Sequence, residues 1–208
     1  MTGIITQNVG RPSGLIKAPV AGGGSMTLIK TLTASSSSTL SFVDGSSDVV
    51  LDSTYPIYKF SFINMHPATN NVGFSFNFSV DTGSNYNVAK TTTTPRAIHN
   101  EGDSDAALSY DDGQDLAQGT GFQRILRFIG NGNDESGSGE MLLFDPSSTT
   151  FVKHFMATGN TYYNGDYSMN DLTAGYGNTT SAVDAVQFKM SSGNIDSGKI
   201  KLYGIKDS

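Results

Sequence analysis

Three histidines, a set of carboxylates and a run of tyrosines are the side chains of this sequence able to do chemistry. His66, His99 and His154 stand far apart. No two have the i, i+4 spacing that places a pair of metal ligands on one helical face, so they read as isolated imidazoles. Glu101, Asp103, Asp105, Asp111, Asp112 and Asp115 offer the oxygen ligands that calcium prefers. The stretch Asn131-Gly132-Asn133-Asp134-Glu135 alternates similar ligands. Neither has the ordered spacing of an EF-hand loop, and solvated acidic loops are the simpler reading. A glycosidase needs two carboxylates at a defined separation. With 19 Asp and Glu residues such a pair can always be drawn, and the sequence selects none. Cysteine is absent, which removes disulfides and thiolate metal sites. No nucleophile elbow, phosphate-binding loop or dinucleotide fingerprint occurs. The expectation is a protein that is not an enzyme, with no catalytic, metal or cofactor-binding residues.

The tyrosines are more suggestive. Tyr162, Tyr163, Tyr167 and Tyr176 cluster with Asn and Gly over residues 160–178. Tyr and Asn together make adaptable contact surfaces, and aromatic faces stack on sugar rings. These four residues are therefore a candidate ligand surface. The competing reading is a Tyr-rich strand with ordinary half-buried rings. Asn77-Phe78-Ser79 and Asn178-Thr179-Thr180 match the glycosylation sequon.

The elements that must position these residues are strands. Of the 208 residues only 15% are charged, against about 25% in an average domain. Gly, Ser, Thr and Asn make up the difference, which suits tight turns and hydroxyl-bearing strands. Tyr58, Phe60 and Phe62 alternate with polar residues, as do Phe74, Phe76 and Phe78, and this period of two marks strands. Further strands are read from Met26, Leu40, Glu140, Thr150, Asp166, Val186 and Lys199. Asn64–Asn71 reads as a connection, Ser35–Ser38 as a polar turn, and Asp145-Pro146-Ser147-Ser148 as a hairpin turn. Short helical turns are read around Ala106–Leu108 and Leu116-Ala117. Residues 122–129 (FQRILRFI) fit a helical face or a strand, and the β neighbourhood favours the strand. Gly204 reads as a bulge. Nine or ten strands at this rhythm predict one all-β domain over residues 25–208, an antiparallel β-sandwich of jelly-roll type.

Residues 1–24 differ. Ile4-Ile5 and Leu15-Ile16 are apolar pairs separated by Gly10, Arg11, Pro12 and Gly14, and Gly22-Gly23-Gly24 forms a flexible hinge. Pro12 and Pro19 prevent a continuous helix. The segment is either a disordered terminus or an extended N-terminal arm that orders on a neighbour through Ile4, Ile5, Arg11, Leu15, Ile16 and Lys17. The net charge of −6 argues against nucleic acid as a partner. No apolar stretch approaches the ~20 residues that span a bilayer, so membrane insertion is not expected, and no secretory leader is read.

The stretch from Val152 to Ser208, containing HFMATGNTYYNGDYSMNDLTAGYGNTT and GNIDSGKIKLYGI, resembles the C-terminal half of structural proteins of tailed, marine-type bacteriophages. TLIKTLTASSSSTLSF, DSTYPIYKFSFINMHPATN and GTGFQRILRFIGN are similar to the matching N-terminal half, and GIITQNVGRPSGLIKA to leaders of other virion proteins. The resemblance covers nearly the whole chain through strand and turn phrases. It implies a virion protein of the capsid decoration, head fibre or tail fibre type, assembled in the host cytoplasm. Its implied partners are capsid or tail proteins of the same particle, further copies of itself (a trimer first) and, for a fibre, a host surface glycan. Decoration or head attachment comes first, because the chain lacks shaft repeats; a short receptor-binding adhesin is the alternative.

Overall fold

β-branched and aromatic residues in alternation, broken by Gly, Asn and Asp turns, leave the chain only strands to form. The computed structural model describes residues 25–163 and 165–207. The arm residues Ile4, Ile5, Arg11, Leu15, Ile16 and Lys17 and the hinge Gly22–Gly24 lie outside the described residues. Among the described residues there is no helix, and thirteen strands follow in order. They are β1 (Met26–Ser37), β2 (Leu40–Val43), β3 (Ile57–Pro67), β4 (Val72–Ser79), β5 (Lys90–Thr93), β6 (Pro95–Asn100) and β7 (Ala106–Tyr110). β8 (Gln123–Ile129), β9 (Gly137–Phe144), β10 (Lys153–Tyr163), β11 (Tyr167–Gly177), β12 (Ala185–Met190) and β13 (Ile195–Ile205) complete the set.

All pairings are antiparallel, and they link into a single sheet that is nearly barrel-shaped. Its main path runs β1-β13-β3-β9-β10-β8-β4-β12-β2. β11 pairs with β10 along its length and carries β5 and β6 on its other edge, with β7 beyond β6. β9 occupies one edge of β10 as far as Gly137↔Thr161. Past that point Ile129 of β8 takes the same edge, opposite Tyr163. This handover turns the sheet back over itself.

The concave side holds the core. Phe74, Phe76 and Phe78 of β4 stand opposite Met190, Phe188 and Val186 of β12, all buried. Tyr58, Phe60 and Phe62 of β3, Met141 and Leu143 of β9, and Ile200 and Leu202 of β13 face them from the other wall. The rings meet edge to face, as the aromatic quadrupole prefers: Phe42 on Phe60 at 5.4 Å, Phe62 on Phe74 at 5.2 Å and Phe76 on Phe155 at 4.9 Å. Gly139 and Gly159 face each other across β9 and β10. A Cβ on Gly139 would sit 2.6 Å from the Gly159 Cα, so a side chain there would force the two strands apart.

Several segments depart from the sequence expectation. Strands outnumber the nine or ten read because β5, β6 and β7 are short and lie where no alternation is visible. Ala106–Leu108 belongs to β7, which pairs with β6, and Leu116-Ala117 forms no helix because it hydrogen-bonds to β5; Thr92 N donates to Leu116 O at 2.9 Å. Asn64–Pro67 continues β3 through an irregularity between Phe62 and Met65, with Asn64 at φ 49°. Ser35–Ser37 continues β1. Asp145–Ser148 is a turn, closed by Ser148 N donating to Asp145 O at 3.1 Å. Gly204 keeps regular register with both neighbours; its missing Cβ instead seats the Tyr55 ring. The irregularities of β13 lie between Ile195 and Lys199.

Phe188 touches the rings of Phe42, Phe60, Phe62, Phe74 and Phe76 at 6.2, 5.3, 5.3, 5.6 and 6.4 Å. Phe188→Ala is expected to lower the unfolding free energy by about 3–5 kcal/mol in urea titrations. A loss below about 1 kcal/mol would show that this cluster does not hold the two walls together.

Candidate functional site

β10 and β11 form the longest hairpin of the sheet. Alternate residues of each face the core, and the others form an outer face. Thr158, Asn160 and Tyr162 of β10 and Ser168, Asn170 and Leu172 of β11 lie on that outer side, and His99 of β6 joins them opposite Ser168. At the tip, His99, Asn100, Glu101, Asn160, Thr161, Tyr162, Tyr167 and Ser168 line a recess of ≈ 200 Å³. The Tyr162 hydroxyl donates to Asp166 Oδ1 at 3.0 Å and the Tyr167 hydroxyl to Asp105 Oδ2 at 3.0 Å. These carboxylate bonds push the Tyr162 phenol up to about 12 and raise Tyr167 as well. Both therefore stay protonated at neutral pH. The Tyr163 ring lies between Phe128 and Tyr167, tilted against both at 5.4 Å from each ring. A rigid aromatic body with hydroxyl, amide and carboxylate groups around it is the chemistry that holds a polyhydroxylated ligand.

The recess thus brings together Tyr162 and Tyr167, while Tyr163 is not part of its lining and meets the Tyr167 ring beside it. Tyr176 is elsewhere. It lies nine residues along β11 from Tyr167, roughly 30 Å at strand rise, beside His154 at a ring distance of 6.1 Å. There it helps to line a second and apolar recess of ≈ 450 Å³ with Thr91, Thr93, Phe144, His154, Met156 and Ala174. Met156 is 58% exposed and neighbouring Leu172 is 47% exposed. The sequence reading missed this groove. Its signal was present in Glu140–Phe144, where Met141 and Leu143 face the core while Leu142 and Phe144 are apolar on the outer side as well.

The three histidines all lie on strands, and each has its own neighbour. His66 Nδ1 lies 2.7 Å from Glu135 O, and His99 Nε2 lies 3.1 Å from Asp103 Oδ1. Among the described residues no three His, Asp or Glu side chains converge. In the acidic segment Tyr167 donates to Asp105 and Tyr110 to Asp115, and Arg127 and Arg96 both pair with Asp111.

A buried polar network behind this hairpin was also not foreseen. Arg127 Nε donates to Asp171 Oδ1 at 2.5 Å, its backbone N to Asp171 Oδ2 at 2.8 Å, and its Nη1 to Asp111 Oδ2 at 3.1 Å. Burial raises the Asp171 carboxyl against the pull of the Arg127 guanidinium. Lys90 Nζ donates to Asn77 Oδ1 and, at 2.8 Å, to Val88 O. Asn77 Nδ2 in turn donates to Tyr86 O at 2.6 Å and Thr120 O at 2.9 Å. Lys90 and Asp171 are 0% exposed and Arg127 1%, so no substrate meets them. They serve architecture, whereas the outer face of the hairpin is open to solvent.

Burial lowers Lys90 from 10.5 to about 7. Below about 7 both folded and unfolded chains carry the proton; between that value and 10.5 the unfolded chain alone takes it up. Stability should therefore rise with pH above 7, with a slope approaching about 1.4 kcal/mol per pH unit. Urea midpoints at pH 7, 8 and 9 should climb in the native chain, and Lys90→Met should flatten the climb. An equal climb in the variant would assign it to other groups.

No family model, no curated protein and no solved structure matches this chain, so its function is read from its own residues.

Proposed function

We propose that this protein is a non-enzymatic surface component of a tailed-phage virion. Residues 1–24 hold it on the particle, and the β domain is presented outward, in a capsid decoration or head-attachment role. The architectural frame of this reading is a jelly-roll-like sandwich with an anchoring arm, present in several copies as a homotrimer. The reading is supported by the phage-like strand phrases throughout the sequence and by the apolar pairs of the arm. The observation that carries it is the division of the outer sheet face. An apolar groove lies at the open end of the β10–β11 hairpin, in the cross-strand row that runs from Met26 of β1 through Ile205 and Ile57 to Phe144, and a hydrophilic tyrosine recess lies at the far tip of the same hairpin. One end suits attachment and the other suits the environment. The ionisable groups that are buried are closed off, which favours binding over turnover.

An epitope tag on the chain, imaged on purified virions, tests the proposal. Label over the head supports decoration, and a variant lacking residues 1–24 should then fall out of the particle while keeping its β circular dichroism. Absence of label from intact particles would end the virion reading.

A short adhesin is the second reading, favoured by the recess around Tyr162. It requires saturable binding of a glycan in calorimetry or on an array. Tyr162→Ala should weaken that binding at least about tenfold, equivalent to about 1.4 kcal/mol, with unchanged thermal stability. If the native chain binds no glycan tested, the tyrosine recess has another purpose and the adhesin reading loses its support.

A further inference from the structure

β7 lies beyond β6 at the margin of the sheet, and its outer edge is bare. Its register against β6 is regular from Pro95↔Tyr110 to His99↔Ala106, with no bulge. At one end Asn100 N donates to Asp105 O at 3.0 Å, and at the other Asp111 N donates to Thr94 O at 3.2 Å. Antiparallel strands alternate hydrogen-bonded and non-bonded residue pairs. Ala107 and Ser109 therefore turn their N–H and C=O toward β6, and Ala106, Leu108 and Tyr110 turn theirs away. Among the described residues nothing pairs with that edge. Leu108 is 82% exposed and Tyr110 54%. Open edges are commonly guarded by lysine, proline or a bulge. Ala106–Tyr110 (AALSY) has none of these.

We propose that this edge takes up an extended segment of another protein as an added strand, apolar in its middle and carrying Lys or Arg at its ends. Strand addition draws affinity from main-chain hydrogen bonds and specificity from side chains. Ala106 and Leu108 offer the apolar cross-strand contacts, and the charge around the edge selects the partner. Glu101, Asp103 and Asp105 stand at one end and Asp111, Asp112 and Asp115 at the other, and residues 101–115 hold no Lys or Arg. Arg96 and Arg127 pair with Asp111, and His99 with Asp103. Among the described residues no cation pairs with Glu101, Asp105 or Asp112, and all three are exposed. A second copy of the chain fits poorly. With Leu108 opposite Leu108 of that copy, Asp105 would face Asp111 and Ser104 would face Asp112. Like charges directly opposed across a ladder destabilise it, whereas a basic segment neutralises both ends. The inference does not rest on the virion reading.

The test uses the full chain and a fluorescent peptide, Lys-Thr-Val-Thr-Val-Thr-Lys, with a Glu-ended peptide of the same middle as control. Anisotropy should show saturable binding of the lysine peptide, at least about tenfold tighter than the control and weaker as salt is raised. Leu108→Pro removes an outward N–H and no bond to β6. It should weaken binding at least about tenfold while circular dichroism and thermal stability are kept. Asp112→Lys changes one exposed side chain and should by itself weaken the lysine peptide several-fold. Amide exchange separates strand addition from loose charge attraction: the peptide should slow Leu108 and Tyr110 several-fold and leave Ala107 and Ser109 unchanged. No saturable binding, equal affinity for the two peptides, or unslowed exchange at both Leu108 and Tyr110 overturns the inference. So does a native dimer that Leu108→Pro dissociates, which would give the edge to a second copy. Peptide binding seen only after residues 1–24 are removed would give it to the chain's own terminus and overturn it equally. Peptide binding beside an absence of label on virions would remove the virion proposal and leave this inference standing.

Discussion

The ion pair between Arg127 and Asp171 fixes how the two parts of the sheet meet. β8 is bound to β10 by one backbone bridge, Tyr163↔Ile129, and otherwise faces β11 through side chains. Asp171 accepts from the Arg127 side chain and from its backbone N–H, so one carboxylate satisfies a charge and an otherwise orphaned donor. Removing one member of a buried pair costs about 3–5 kcal/mol, because the other is left charged and desolvated. Asp111 and the Pro95 carbonyl complete the guanidinium's partners, which ties β6 and the loop after β7 to the same point. The sheet turns where this pair sits, and the long β10–β11 hairpin is held in place by it.

β4 shows the consequence. Its phenylalanines face the apolar core, while Ser75, Asn77 and Ser79 on the opposite face are also buried. A buried polar face requires partners. Lys90 and the Tyr86 and Thr120 carbonyls supply them for Asn77, and Lys189 O accepts from Ser75. The chain over 81–90 and 114–123 therefore behaves as a second cover of the sheet, set by hydrogen bonds in place of apolar packing. Such a network demands one arrangement, since any displacement leaves several groups unpaired. It gives the outer face of β10 and β11 a firm backing, and a rigid backing is what a binding surface built on strands requires.

That outer face connects architecture to function. Strand alternation assigns every second residue of β10 and β11 to it, and two kinds of residue fall there in two blocks. His154, Met156, Ala174 and Tyr176 make one end apolar; Asn160, Tyr162 and Ser168 make the other polar. A flat apolar patch on a strand face invites association, whereas amides and phenols remain hydrated until a ligand displaces water. Two surfaces of opposite character follow from a single hairpin.

The sequence by itself determined the strands with one apolar face. Tyr58–Phe62, Phe74–Phe78 and Ile200–Leu202 were legible because alternation is a local property of neighbouring residues. Residues 122–129 were ambiguous on account of two irregularities in β8, which bury Ile125 and Leu126 together and place Phe128 at φ 54°. Bulges break the period of two, and their positions depend on the partner strand. The tyrosines read as one cluster because they are close in the chain; along an extended strand, nine residues become a separation as large as a domain wall, which left Tyr176 in a different recess. Lys90, Asn77, Arg127 and Asp171 carried no signal at all. Whether a charge is buried depends on which distant strand lies against it, and only the folded arrangement brings those strands together.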